Sequence, residues 1–289
     1  MADFDLQYNR LGTEILATAH DTTGEAVRAH YADGTPAYTK QLIGKQFRFD
    51  NSEFPCLTNK KTLMDKSKEE LFWIWVEKSN DVRWLQERGN HIWDEWMMKD
   101  FSIGPSYGWQ LAKKCRVVDL GKLNGSELSQ YAVMDQVDWL LHSLQHDRSS
   151  RRIMTSLFDV ERLHRMALQP CVYETHWIVE GSKLSLIVKA RSSDYALGLP
   201  FNVSQYNILQ RMVAQVTGYE LGEYIFDMDI PHIYDRHEEK LKKQFARPTH
   251  EAPKIWLNPE VKNFYDFKLD DIQILDYKHE SGLLFEVAI

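Results

Sequence analysis

The chain has 289 residues, 43% hydrophobic and 27% charged, enough for one large domain with a sizeable core and an ordinary soluble-globular composition. Its formal net charge of −7 argues against general nucleic-acid binding but not against a small anionic ligand, because a few arginines in a cleft can set the local field. No apolar run approaches the roughly 20 residues that span a bilayer, the acidic start Met1-Ala2-Asp3-Phe4-Asp5 is unlike a secretory leader, and the three scattered cysteines form neither a disulfide framework nor a zinc site, so a cytoplasmic protein without metal is expected.

In chain order, Leu11, Ile15 and Leu16, with Leu6 one turn earlier, mark an N-terminal amphipathic helix. Glu69 to Glu77 is almost continuously apolar (Leu71, Phe72, Trp73, Ile74, Trp75, Val76), as in a helix buried all round. Val137, Leu140, Leu141 and Leu144 mark a third helix. Cys171 to Val179 and Lys183 to Ala190 are expected to form a hairpin around Glu180-Gly181-Ser182. Val203, Tyr206, Leu209, Val213 and Val216 mark a fourth helix closed by Gly218. Leu221 to Met228 is a further strand, and a last strand pair is expected around His279-Glu280-Ser281-Gly282. With no repeat or linker, these elements predict a single α+β domain over residues 1–289, a large mixed β-sheet partly covered by long helices.

Several residues could carry chemistry. Cys171, in Gln169-Pro170-Cys171-Val172, is either a small buried hydrophobe or a nucleophile whose pKa nearby guanidinium groups lower. Arg151-Arg152 after Ser149-Ser150, and Arg191-Ser192-Ser193-Asp194, bracket that hairpin. Each is a solvated charge run or a set of forks for phosphate. Glu70 precedes six apolar residues. It either pairs with Lys66 or Lys68 at the helix surface or is a desolvated carboxylate suited to moving protons. Asn202 heads the fourth helix, as an N-cap or as an amide able to donate to one base atom and accept from the next. The aromatics Trp93, Trp96, Tyr107 and Phe201 fit either a core or a stacking wall.

Together these segments resemble the thymidylate synthase family across nearly the entire chain. The matching stretches are Gln46-Phe47-Arg48-Phe49-Asp50, Glu70-Leu71-Phe72-Trp73, Ile92-Trp93-Asp94-Glu95-Trp96 and Gly104-Pro105-Ser106-Tyr107-Gly108. Ser150-Arg151-Arg152, Pro170-Cys171, Arg191 to Asp194, Gly198 to Asn202, His232-Ile233-Tyr234 and Val287-Ala288-Ile289 follow in order. Gln205 to Phe226 and the C-terminal third are most similar to the Bacillus-type branch.

The resemblance implies methylation of dUMP at C5 by 5,10-methylenetetrahydrofolate, without a metal. Cys171 would attack uracil C6. Arg28, Arg191 and Ser192, with Arg151 and Arg152 reaching across from a second subunit, would hold the phosphate. That sharing implies a homodimer joined through a sheet face. Asn202 would read the base, His232 and Tyr234 the deoxyribose hydroxyl, and Glu70 and Tyr107 would manage protons. Asp194 would border dUMP and bond the folate ring, with Ile92, Trp93, Phe201 and the C-terminal Ile289 lining the folate site. Three positions depart from the family pattern. Val172 follows the cysteine where many members carry His, His176 replaces a usual Gln, and Asp229-Ile230 replaces the usual Gly-Asp before the sugar-binding histidine. These leave a pyrimidine-nucleotide hydroxymethylase, in which water replaces hydride, as the alternative.

Overall fold

A computed structural model describes residues 2–122 and 126–289. Its centre is a five-stranded mixed sheet of β1 (Lys45–Phe49), β2 (Met154–Ser156), β3 (Val172–Glu180), β4 (Lys183–Ala190) and β5 (Glu220–Met228), in the spatial order β1-β5-β4-β3-β2. Only the β4–β5 pair is parallel, which requires a crossover between them. That crossover is the helix α4, Gly198–Thr217. The hairpin of β3 and β4 pairs Glu180 with Lys183, so its loop is the two residues Gly181-Ser182, with Gly181 at a φ of 61°.

Strand alternation places Leu184, Leu186, Val188 and Ala190 of β4 on the helix-covered face, with Trp177 of β3 and Tyr224, Phe226 and Met228 of β5. Complete burial of a side chain such as Leu184 or Val188 contributes about 1.5–3 kcal/mol. The opposite face carries the half-buried Ile178 and Ile187 among polar residues.

The helices follow from their apolar spacing. In α1 (Asp3–Thr18) the buried line is Phe4, Tyr8, Leu11 and Ile15, whereas Leu6, expected on that face, is 50% exposed. The spacing of three and four from Leu11 reaches Phe4 and Tyr8, not Leu6. The segment α2 (Met64–Leu71) runs into a π-helical turn, Phe72–Val76, in which Glu77 N–H donates to Phe72 C=O at 2.9 Å. Asp135 caps α3 (Gln136–His146), its carboxylate accepting from the Asp138 N–H at 2.9 Å.

Helix α4 is buried along most of its length and ends at Gly218, φ 76°, as its sequence predicts. Its buried polar side chains all find partners. Ser204 Oγ donates to Pro55 C=O at 2.6 Å, Asn207 Nδ2 to Asn51 Oδ1 at 2.6 Å and Gln210 Nε2 to Leu184 C=O at 2.9 Å. The start differs from expectation: Asn202 lies inside the helix, and Asp194 Oδ1 instead accepts from the Ala196 and Leu197 N–H groups ahead of it. That carboxylate fixes the turn leading into the helix, and no side chain caps the first turn of α4 itself.

A four-stranded sheet orders His20–Asp21, Thr39–Gln41, Pro231–Tyr234 and Ser193–Asp194 as neighbours. The expected strand pair around residues 279–282 does not form. The C-terminal ladder joins Lys254–Leu257 to Ile272–Leu275, where Ile272 is fully buried. Beyond it the tail docks on other elements, through Glu280 N–H to Thr58 C=O at 2.8 Å and Arg247 to Ser281 C=O at 2.7 Å. Residues 279–282 have no alternating apolar set to pin a register.

Candidate active site

Cys171 stands at the head of β3, half-buried. Its N–H donates to the Tyr107 hydroxyl at 2.9 Å, and its C=O accepts from Arg191 N–H at 2.9 Å. The Arg191 guanidinium is fixed by two carbonyls of the approaching chain, Pro170 at 2.9 Å and Gln169 at 2.7 Å. Burial pushes the Cys171 thiol up. Arg191 and then Tyr107 pull it back down, and the charges of Asp194 and Glu70 add to the rise. The expectation of a lowered thiol pKa is therefore corrected for the single chain: one arginine does not outweigh desolvation.

Tyr107 is held in a strained backbone, φ 42°, as residues at reaction centres often are. Two glycines shape that turn. A Cβ on Gly104 would meet Arg165 C=O at 2.3 Å, and one on Gly108 would meet Ser79 C=O at 2.2 Å. The Tyr107 ring packs edge-on against Trp93 at 5.3 Å, and Trp93 against Trp73 and Trp96 at 5.6 Å each. Burial raises the Tyr107 phenol well above its ordinary range.

Glu70 is 9% exposed and pairs with neither Lys66 nor Lys68, which bind Glu69 and Asp65. Helix geometry turns it inward, where Oε1 accepts from Trp93 Nε1 at 2.7 Å and Oε2 from Gln205 Nε2 at 2.9 Å. Desolvation raises its pKa against both hydrogen bonds. Ordering a π turn immediately after it, the chain places a carboxylate with a raised proton affinity against the tryptophan wall.

Asn202, in the second turn of α4, has no hydrogen-bond partner for its side-chain amide among the described residues. Phe201 is half-buried beside it. The parallel register sets His232 opposite Asp194. His232 Nδ1–H donates to Ile230 C=O at 3.2 Å, which leaves Nε2 as an acceptor. Burial lowers the pKa of this imidazole, opposed by Asp194. Tyr234 packs on it at 5.1 Å, and its phenol is pushed up to about 12 by burial, then by Asp194 and Cys171, with Arg28 opposing. The Asp229-Ile230-Pro231 departure leaves both side chains on one strand: Asp229 N–H binds Ala190 C=O at 2.8 Å, and Ile230 C=O accepts from Ser193 N–H at 3.1 Å.

The remaining expected residues fall into two groups. Ile92 is half-buried beside Trp93, and Ile289 pairs through its backbone with His30, two residues from Arg28, at 2.8 and 2.9 Å. Ser192 is half-buried next to Arg191. Arg151 and Arg152 are exposed and stand apart: Arg151 C=O accepts from His176 Nε2 at 3.2 Å. His176 lies five residues along β3 from Cys171, roughly 16 Å at the usual strand rise. The Arg151 backbone is thus set towards the far end of β3 from Cys171.

The whole chain matches known proteins. The family model described as thymidylate synthase covers residues 6–289. A thymidylate synthase of Bacillus mojavensis is 53% identical and thymidylate synthase 1 of Bacillus subtilis strain 168 is 52% identical, each over 100% of both chains. Among solved structures, thermostable thymidylate synthase A from Bacillus subtilis superposes with a TM-score of 0.91 at 52% identity, covering 100% of both chains. The chain belongs to the thymidylate synthase family.

That membership supports the synthase and gives no support to the hydroxymethylase alternative. Among the described residues no helix is long and apolar enough to cross a membrane, and no group of three or more His, Cys, Asp or Glu side chains is placed to hold a metal. A separate cavity of about 410 Å³ between α3 and residues 262–265 is lined by none of the expected site residues. Sequence reasoning missed two buried polar residues near the site. Gln205 holds Glu70, and as one of several amides along α4 its sequence position did not mark it out. Lys60, its pKa lowered to about 8 by burial, donates to Ala196 C=O near Asp194. It stands in the polar run Asn59-Lys60-Lys61, which carries no local sign of burial.

Proposed function

We infer that the chain converts dUMP to dTMP, with 5,10-methylenetetrahydrofolate donating both carbon and hydride, and that residues 1–289 act as one cytoplasmic catalytic domain. One juxtaposition supports the residue roles above all: Tyr107 joins the Cys171 N–H to the Trp93–Glu70 pair. Sγ of Cys171 adds to uracil C6, and the electron pair moves to C5. Arg191 opposes the thiol's desolvation at the start of this step, and a phosphate held by Arg191, Arg28 and Ser192 fixes the ring over the sulfur. Asn202 turns its free amide to uracil's adjoining donor and acceptor. His232 Nε2 and Tyr234 receive the deoxyribose hydroxyl.

The folate's fit rests on the wall of Ile92, Trp93 and Phe201, on the docked Ile289, and on the Asp194 oxygen not used at α4. When bound, it supplies the one-carbon unit and the hydride that complete the methyl group. Glu70, with its raised proton affinity, exchanges protons with the base through water. Tyr107 assists removal of the C5 proton, and Cys171 leaves as the product forms.

A homodimer completes the site in this reading. The Arg151 backbone is set towards the far end of β3 from Cys171, and the uncovered face of the sheet, with Ile178 and Ile187, offers the surface for a second copy. Incubation with dUMP and methylenetetrahydrofolate tests the function by mass spectrometry and dihydrofolate absorbance. The expected result is dTMP with stoichiometric dihydrofolate. Hydroxymethyl-dUMP with tetrahydrofolate would overturn it.

A further inference from the structure

Three segments that carry proposed site residues converge on one arginine outside the site. Arg236 follows the strand Pro231–Tyr234, which holds His232 and Tyr234. Its Nη2 donates to Asp33 Oδ2 at 2.8 Å and Thr35 Oγ1 at 2.6 Å, in the turn that follows Arg28. Its Nη1 donates to both carboxylate oxygens of Glu286 at 2.8 and 3.0 Å, in the C-terminal tail. The guanidinium lies 3.9 Å from the centre of the Tyr31 ring, and the Arg236 N–H donates to the Tyr31 hydroxyl at 3.3 Å. Near Glu286 the tail is also tied by His237 Nε2 to Glu286 C=O at 2.7 Å, by Lys240 Nζ to Leu284 C=O at 2.7 Å and by the His30–Ile289 backbone pair.

We propose that Arg236 is a positioning residue that locks the Arg28 turn, the His232–Tyr234 strand and the C-terminal tail into one arrangement of the site. An isolated surface ion pair contributes little. Here one planar guanidinium holds both Glu286 oxygens through Nη1, reaches Asp33 and Thr35 through Nη2, and stacks on a ring. That geometry fixes the relative placement of two chain segments, and a lysine could not reproduce it. Arg236 touches neither dUMP nor folate in this arrangement. Its effect passes through the segments it holds.

The proposal rests on the assigned roles of Arg28 and Ile289, so its test includes a readout independent of turnover. Asp33→Ala should weaken dUMP binding with little change in folate KM. Glu286→Ala should raise folate KM with dUMP binding unchanged. Arg236→Ala should do both, each by about five- to tenfold, and Arg236→Lys should fall between it and the parent. Removal of Ile289 by carboxypeptidase should accelerate in Arg236→Ala and Glu286→Ala but not in Asp33→Ala. Parent-like constants and parent-like tail cleavage in folded Arg236→Ala would overturn the proposal, even with a lowered melting temperature. If the parent itself made no dTMP, the functional reading would fall, while the cleavage rates would still judge the clamp.

Discussion

The two ends of the proposed site are built on different principles. Around the base, Glu70, Trp93, Tyr107 and Cys171 are buried or half-buried, and Glu70, Tyr107 and the Cys171 backbone are tied by hydrogen bonds within the chain. At the proposed phosphate end, Arg28, Arg151 and Arg152 are exposed, and among the described residues none of them meets a carboxylate within 4.0 Å, while the half-buried Arg191 is held by two backbone carbonyls. Burial sets proton affinities and needs a finished core, so the base end is complete in one chain. Charge acts at longer range and can be supplied from outside, so in the proposed homodimer a substrate and a second subunit would complete the phosphate end.

Replacing the nucleophile breaks the base end outright. Cys171→Ala should lower turnover by at least about a thousandfold while calorimetry still detects dUMP, since the phosphate end is untouched. Turnover near that of the parent would remove Cys171 from the chemistry. The phosphate end should instead behave as shared property. Mixing Cys171→Ala with Arg152→Ala subunits should restore activity at roughly a quarter of the sites, because random exchange makes half the dimers mixed and each mixed dimer has one intact site. No recovery after subunit exchange is confirmed by native mass spectrometry would mean that each chain completes its own site.

Smaller changes sharpen the contrast. Asn202→Asp should shift preference toward dCMP by about tenfold or more, as a carboxylate suits cytosine's amino group better than uracil's donor edge. Competition assays with both nucleotides check this, and unchanged selectivity would place base reading elsewhere. Glu70→Gln should have the smallest effect on folding, with a particular sign. Burial raises the Glu70 pKa above its ordinary 4.5, so the parent has its full stability below that pH and loses part of it as pH rises through the raised value. The melting temperature of the variant relative to the parent should therefore rise between about pH 4 and pH 8. A difference independent of pH would show that Glu70 is not the desolvated group.

Much of the fold was legible because its signals are local. Leu11 and Ile15 and the Val203–Val213 series repeat at a helical period, the unbroken apolar run after Glu70 marks a buried helical segment, and Gly181 and Gly218 occupy the backbone positions their turns require. The tail misled because its partners are remote: a strand pair was expected at residues 279–282, yet that segment docks on Thr58 and Arg247. Leu6 was assigned to the wrong face and Asn202 to a helix start that lies more than one turn earlier, because period alone chooses neither the face nor the first residue.

The sequence by itself determined the α+β class, the hairpin behind Cys171, and the ordered motifs that carry the family resemblance, since side-chain spacing and turn chemistry act over a few residues. Only the tertiary structure decided that Glu70 binds Trp93 and Gln205 rather than a lysine. It alone decided that burial outweighs Arg191 at the Cys171 thiol, that the Arg151 backbone is set towards the far end of β3 from Cys171, and that Arg236 joins Asp33 to Glu286. Desolvation and pairing depend on which distant segments exclude water together. No local pattern contains that information.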